Sequence, residues 1–158
     1  MRIIPSRLIG PIALMIAVQV LPQSVHKPND VSSGDLDLQE AVIRYQIKSW
    51  QQEMHTYCVE INGTDPDPAL LQRLRPLKVK GASACHRQND RQLMMIVDDK
   101  KKDSVIFNLV AFRKVSESEV EIEGGYFCGN LCMAQGTYHL VRGASGWHVV
   151  RFEARLTL

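Results

Sequence analysis

At 158 residues the chain is long enough for one domain and short for two. With 45% hydrophobic and 23% charged residues it has the composition of an ordinary globular protein, which excludes a disordered or wholly membrane-embedded chain. The formal net charge is +2, and setting aside Arg2 and Arg7 of the N-terminal leader leaves 17 basic residues against 17 acidic ones. A neutral body has no electrostatic footprint for nucleic acid or for an anionic membrane surface.

Residues 1–26 are laid out as a secretory signal, with Arg2 and Arg7 ahead of an apolar run from Leu8 to Leu21 that only Gly10, Pro11 and Gln19 interrupt. A bilayer crossing needs about 20 apolar residues, which this run does not reach and no later stretch approaches. No A-x-A cleavage site follows, and Pro22 sits where a small residue is wanted, so an uncleaved anchor is the alternative. In that case the membrane is met through this segment alone. The leader holds no cysteine, which argues against a lipoprotein. The expected destination is the periplasm or the extracellular space. Residues 27–36 are rich in Pro, Ser and Asp and read as a linker, and residues 37–158 as a single domain.

The segment 37–54 carries a helical pattern, with Asp37 and Glu40 at the spacing of a capping box. Glu40, Arg44, Lys48 and Gln51 form one polar stripe, flanked by Leu38, Val42 and Tyr45 on one side and by Ile43, Ile47, Trp50 and Met54 on the other. An apolar arc that wide belongs to a helix enclosed by a curved surface, or covered on a second face by a partner such as another copy in a homodimer. Residues 56–61 read as a strand, and 68–77 as a brief helix opened by Pro68 and stopped by Pro76. Residues 92–97 and 104–112 are apolar runs joined by DDKKKD, which reads as a charged hairpin tip. Residues 120–127, 137–142 and 147–158 complete the strands. In the last of these Val150, Phe152, Ala154 and Leu156 alternate with charged or polar residues. The expected fold is α+β: a long N-terminal helix packed on a curved, mainly antiparallel sheet of about five or six strands.

Cys58, Cys85, Cys128 and Cys132 form an even set beyond the leader, as expected of bridges in an oxidising compartment. Four cysteines allow three pairings, and nearest-neighbour pairing, Cys58 with Cys85 and Cys128 with Cys132, is the preferred one. The C-x-x-x-C spacing of Cys128 and Cys132 misses the C-x-x-C of thiol oxidoreductases, and strand-like segments flank it where those enzymes place a helix N-terminus. A zinc site from Cys85, His86, Cys128 and Cys132 would require reduced thiols. No H-x-x-x-H or H-E-x-x-H pair occurs among the five histidines, and no phosphate or nucleotide fingerprint is present. Neither a metal nor another cofactor is expected. Glu117, Glu119, Glu121 and Glu123 alternate along one strand and read as a solvated face.

The helix followed by a long meander ending in YHLVRGASGWHVVRF is similar to the closing hairpin of nuclear transport factor 2-like cone domains. The run GGYFCGNLC…GTYHLV…GWHVV also resembles small exported bacterial proteins of unknown function. The likeness covers roughly the last 40 residues, and since that fold hosts isomerases, dehydratases and plain binding modules it implies an architecture and no activity. No family catalytic residue matches a position here, so the resemblance assigns none. The sequence favours a binding or structural module of the cell envelope over an enzyme, its partner an unidentified protein or small molecule. The alternatives are a pocket enzyme using His148, which shares parity with Val150 and Phe152, helped by Tyr126 and Tyr138, and a thiol oxidoreductase using Cys128 and Cys132.

Overall fold

The computed structural model describes residues 33–90 and 93–157. The expected signal segment lies outside the described residues, as does most of the expected linker, whose last residues are helical from Ser33 onward. Helix α1 spans Ser33–Ser49, so it begins earlier and ends earlier than its polar stripe suggested. At its end the Trp50 amide donates to the Ile47 carbonyl at 3.2 Å, an i→i−3 turn that tightens the helix before the chain bends away. Asp37 and Glu40 therefore sit inside the helix rather than at its cap. Both face Arg73, whose guanidinium donates to Asp37 Oδ1 at 2.6 Å and to Glu40 Oε2 at 3.4 Å.

Strand β1 (Thr56–Ile61) leads through helix α2 (Pro68–Leu74) to the three-residue β2 (Val79–Gly81). Asp67 caps α2 by accepting from the Ala69 amide at 2.7 Å, and Pro68 supplies the first turn with its pre-set backbone angle. Then follow β3 (Cys85–Asp90), β4 (Leu93–Asp98), β5 (Ser104–Lys114), β6 (Glu119–Gly129), β7 (Cys132–Gly143) and β8 (Gly146–Thr157). The eight strands make one sheet, ordered β2-β1-β5-β6 and continuing through β7 to β8, with β4 and β3 reached from the far end of β6.

Two expectations are corrected. The sheet has eight strands and is mixed, because β1 runs parallel to both β2 and β5 while the remaining pairs are antiparallel. The extra strands are β2, only three residues long, and β3, whose sequence CHRQND offers no apolar alternation to read. The DDKKKD segment is a tight turn but not the tip of a zipped hairpin. Val97 and Asp103 form a single bridge, after which β4 pairs with β3 and β5 with β1 and β6. Asp98 organises that turn: its buried carboxylate accepts from the amides of Lys100 at 2.9 Å and Lys102 at 3.0 Å, and from the Thr56 hydroxyl at 3.1 Å.

Helix α1 packs against both β5 and β8, although β6 and β7 lie between them. A flat sheet with strands about 4.8 Å apart could not bring both against one helix about 10 Å across, so the sheet curls around α1. On its other flank α1 meets α2, whose Leu70 and Leu74 are fully buried in the same core as Val42, Ile43, Phe107, Leu109, Ile122 and Leu140. The wide apolar arc of α1 is thus enclosed within the chain, and its width does not call for a second copy. Glu121 and Glu123 lie on the opposite face of the sheet and are paired with Arg113 and Arg155.

Candidate functional site

Where α1 ends over the sheet, a cavity of about 440 Å³ remains between helix and strands. It lies within the range of about 300–1,000 Å³ typical of small-molecule sites. The register explains the space. On the sheet face toward α1, the paired positions of β6 and β7 run Ile122↔Tyr138, Gly124↔Gly136, Tyr126↔Ala134. The middle of this floor has no bulk between two tyrosines, and neither glycine has room for a side chain: a Cβ at Gly124 would meet the Asn108 carbonyl, and one at Gly136 the Glu153 carbonyl.

Aromatic rings build the walls. Tyr126 is the register partner of Phe107 on β5, and Tyr138 of Phe152 on β8, so four adjacent strands each contribute one ring. Tyr138 and Phe152 stack with centroids 4.4 Å apart. From α1, Tyr45 meets Tyr138 edge-on at 6.1 Å. Trp50 meets Tyr126 at 4.8 Å and Phe107 at 5.9 Å, both T-shaped, an arrangement that ring quadrupoles favour. Ser49, Gln51, Gln52 and Cys132 complete the lining at the rim.

One polar side chain crosses this apolar space. Gln46 is 96% buried, its exposure being 4%, and its amide nitrogen donates at 2.8 Å both to the Gly125 carbonyl and to the Tyr138 hydroxyl. The hydrogen bond to a carbonyl, which can only accept, fixes which end of the amide is nitrogen. Gln46 Oε1 is left without a hydrogen-bond partner, as is the Trp50 indole nitrogen, and both atoms are buried. Burial pushes the Tyr138 hydroxyl well above the ordinary phenol range, so it stays protonated at any physiological pH.

The sequence pointed to three pocket residues, and the structure brings two of them together. Tyr126 and Tyr138 line the cavity; His148 is exposed on the other face of β8. The reason is a bulge: Leu140 pairs with Val149 but His139 with Arg151, so Val150 is an extra residue in β8. An extra residue reverses the facing of everything beyond it. Trp147 and Val149 therefore pack toward the core with Phe152, while His148 and Val150 face outward. Sequence reasoning missed Gln46, Trp50, Phe107 and Phe152 as site residues. Gln46 had left a signal: a polar residue four positions from Val42, three from Ile43 and four from Trp50 interrupts the apolar arc.

Cys58 and Cys85 are bonded, with Cα atoms 6.3 Å apart, as are Cys128 and Cys132, with Cα atoms 5.2 Å apart. This is the nearest-neighbour pairing, and bonds of this kind belong to an oxidising environment. The second bond closes the β6–β7 turn at the cavity rim, and all four sulfurs are committed. Among the described residues no group of three or more His, Cys, Asp or Glu side chains is arranged to hold a metal ion, and no helix is long and apolar enough to cross a membrane. A smaller groove on the outer face, beside Glu121, His139 and Arg151, is lined by side chains already close to one another: His139 lies 3.4 Å from Glu121 and 3.3 Å from Glu153. Compared with family models, curated proteins and solved structures, the chain matches none.

Proposed function

We propose that the chain is an exported, disulfide-stapled binding module that holds a small, uncharged and largely apolar molecule in the aromatic pocket between α1 and the sheet. The observation that carries this is the chemistry of the wall. It offers six aromatic side chains and an anchored amide, but its described residues include no carboxylate, imidazole or amine. Proton-transfer catalysis needs a group that exchanges a proton near neutral pH. The phenol nearest Gln46 is held protonated instead, and the histidine expected to serve as base lies on the opposite face.

The two disulfides favour export, and the basic-then-apolar leader supplies the route. A sheet curled around a single helix fits the cone-like kinship that the C-terminal segment implies. The thiol oxidoreductase reading has less support, since Cys128 and Cys132 flank a β-turn and no helix N-terminus is there to lower a thiol pKa.

The uncharged fluorescent probe N-phenyl-1-naphthylamine tests the proposal. The oxidised protein is expected to take it up saturably, one molecule per chain. Ser49 is exposed at the pocket rim, so Ser49→Trp should block uptake without changing the melting temperature. No saturable uptake by the wild type, or unaltered uptake by a folded Ser49→Trp variant, would refute it.

A further inference from the structure

Two residues of the pocket lining each carry a buried polar atom that the chain itself leaves unused, and these atoms narrow the ligand further. Gln46 Oε1 can only accept a hydrogen bond and the Trp50 indole N–H can only donate one. Gln46 lies in the last turn of α1 and Trp50 one residue beyond its end, and both side chains line the cavity. A buried polar group without a partner is costly, and groups left so in a native chain call for an explanation. Gln46 cannot relieve the cost by turning its amide over, because its nitrogen is held by Gly125 and Tyr138. Trp50 cannot relieve it within the pocket either, where it is surrounded by the rings of Phe107 and Tyr126.

We infer that the ligand is a flat, uncharged heterocycle whose edge carries one hydrogen-bond acceptor and one donor, as a lactam or cyclic amide does. The inference rests on the pocket reading above. The ring system lies among Phe107, Tyr126, Tyr138 and Phe152, its acceptor meets the Trp50 indole N–H, and its donor meets Gln46 Oε1. Both protein atoms are shielded from bulk solvent in the unliganded chain, so the Trp50 ring must shift as the ligand enters. Trp50 is the wall residue placed to do so. It lies just past the α-helical span and its amide is held by the single i→i−3 bond to Ile47. A charged edge is excluded, because an ion here would find no counter-charge in the pocket wall.

Four probes of similar size separate the contributions, each titrated calorimetrically into the oxidised protein. Naphthalene offers neither group, quinoline an acceptor, 1-methyl-2-quinolone an acceptor without the donor, and 2-quinolone both. The expected order places 2-quinolone at least about tenfold tighter than naphthalene, with the two acceptor-only compounds between, since each hydrogen bond gained is worth a few-fold to tenfold. Trp50→Phe keeps the ring and removes the N–H. It should erase the difference in affinity between quinoline and naphthalene, both measured in the same variant. In a Trp147→Phe background the emission of Trp50, then the only tryptophan, should shift on binding 2-quinolone. Equal affinity for naphthalene and 2-quinolone, as when ordered water already serves both atoms, overturns this inference and leaves the pocket reading standing. Binding of none of the four overturns both.

Discussion

The sheet beneath α1 and the β3–β4 arm at its far end are held in place by different means. Strands β5 to β8 share long registers, and their inner face is sealed by α1 through buried Val42, Ile43, Phe107, Ile122 and Leu140. The arm meets β6 at a single register pair, Met95 with Gly129, and its own core is a small cluster of Cys58, Cys85 and Ile96. The bond between Cys58 and Cys85 ties it to β1. A strand as polar as CHRQND can join a sheet because a covalent link supplies what apolar burial does not. The pocket lies in the first region, where packed side chains form its walls and the Cys128–Cys132 bond only pins its rim.

The largest expected effect is on the packed region. Phe107→Ala removes a fully buried ring that supports both Trp50 and Tyr57, and should cost about 3–5 kcal/mol. Probe uptake should fall with it, as read by chemical denaturation alongside N-phenyl-1-naphthylamine fluorescence. Replacing Cys58 and Cys85 together with Ala should cost about 3–4 kcal/mol for a closed loop of this length, or roughly 10 °C in Tm. In this variant amide exchange should quicken in β3 and β4 first, with probe uptake retained. Equal loss of protection across β5 to β8 would show that the two regions are one unit. Replacing Cys128 and Cys132 with Ser opens a far shorter loop and should cost about 2 kcal/mol or less. Its effect should be on the pocket rim, seen as faster probe release with little change in Tm.

The smallest expected effect is a pH dependence local to the arm. Hydrogen bonds from the Lys102 amide first, then from the Lys100 amide and the Thr56 hydroxyl, hold the Asp98 carboxyl below the usual carboxylate range. A carboxyl lowered in the folded state contributes stability that is complete above its ordinary pKa of about 4 and is lost as pH falls through the folded value. Asp98→Asn should therefore weaken the wild type's acid sensitivity below about pH 4 while lowering stability at neutral pH. An acid-unfolding curve that Asp98→Asn leaves unmoved would place the sensitivity elsewhere.

What the sequence revealed, and what it concealed, follows the same division. The six apolar strands, the enclosed helix and the presence of disulfides were legible because burial writes a periodic pattern and an even cysteine set beyond a leader points to bridges. The pairing itself was a preference among three. Strand β3 was not legible, since it owes its place to a bond and to a partner strand rather than to its own apolar residues. At the site, the sequence offered Tyr126 and Tyr138 as helpers of a pocket base, and both line the cavity. His148 was misplaced because one extra residue, Val150, breaks the parity of its strand, and composition does not announce a bulge. Gln46 and Trp50 become site residues only once the end of α1 is known to hang over a glycine-floored stretch of β6 and β7. That is a relation between distant segments, and no window of sequence contains it.

The irregularity in β8 has a further consequence. Among the described residues this strand pairs only with β7, which leaves the row of amides and carbonyls on its other side without a strand partner there. Two register shifts, at Val150 and Arg155, interrupt that row, and Arg151, Glu153 and Arg155 stud it with charge. A regular strand from a neighbouring molecule would find no straight track to pair with. The extra residues that turn His148 away from the pocket also stop the sheet from growing past β8, guarding the folded chain against strand-to-strand aggregation.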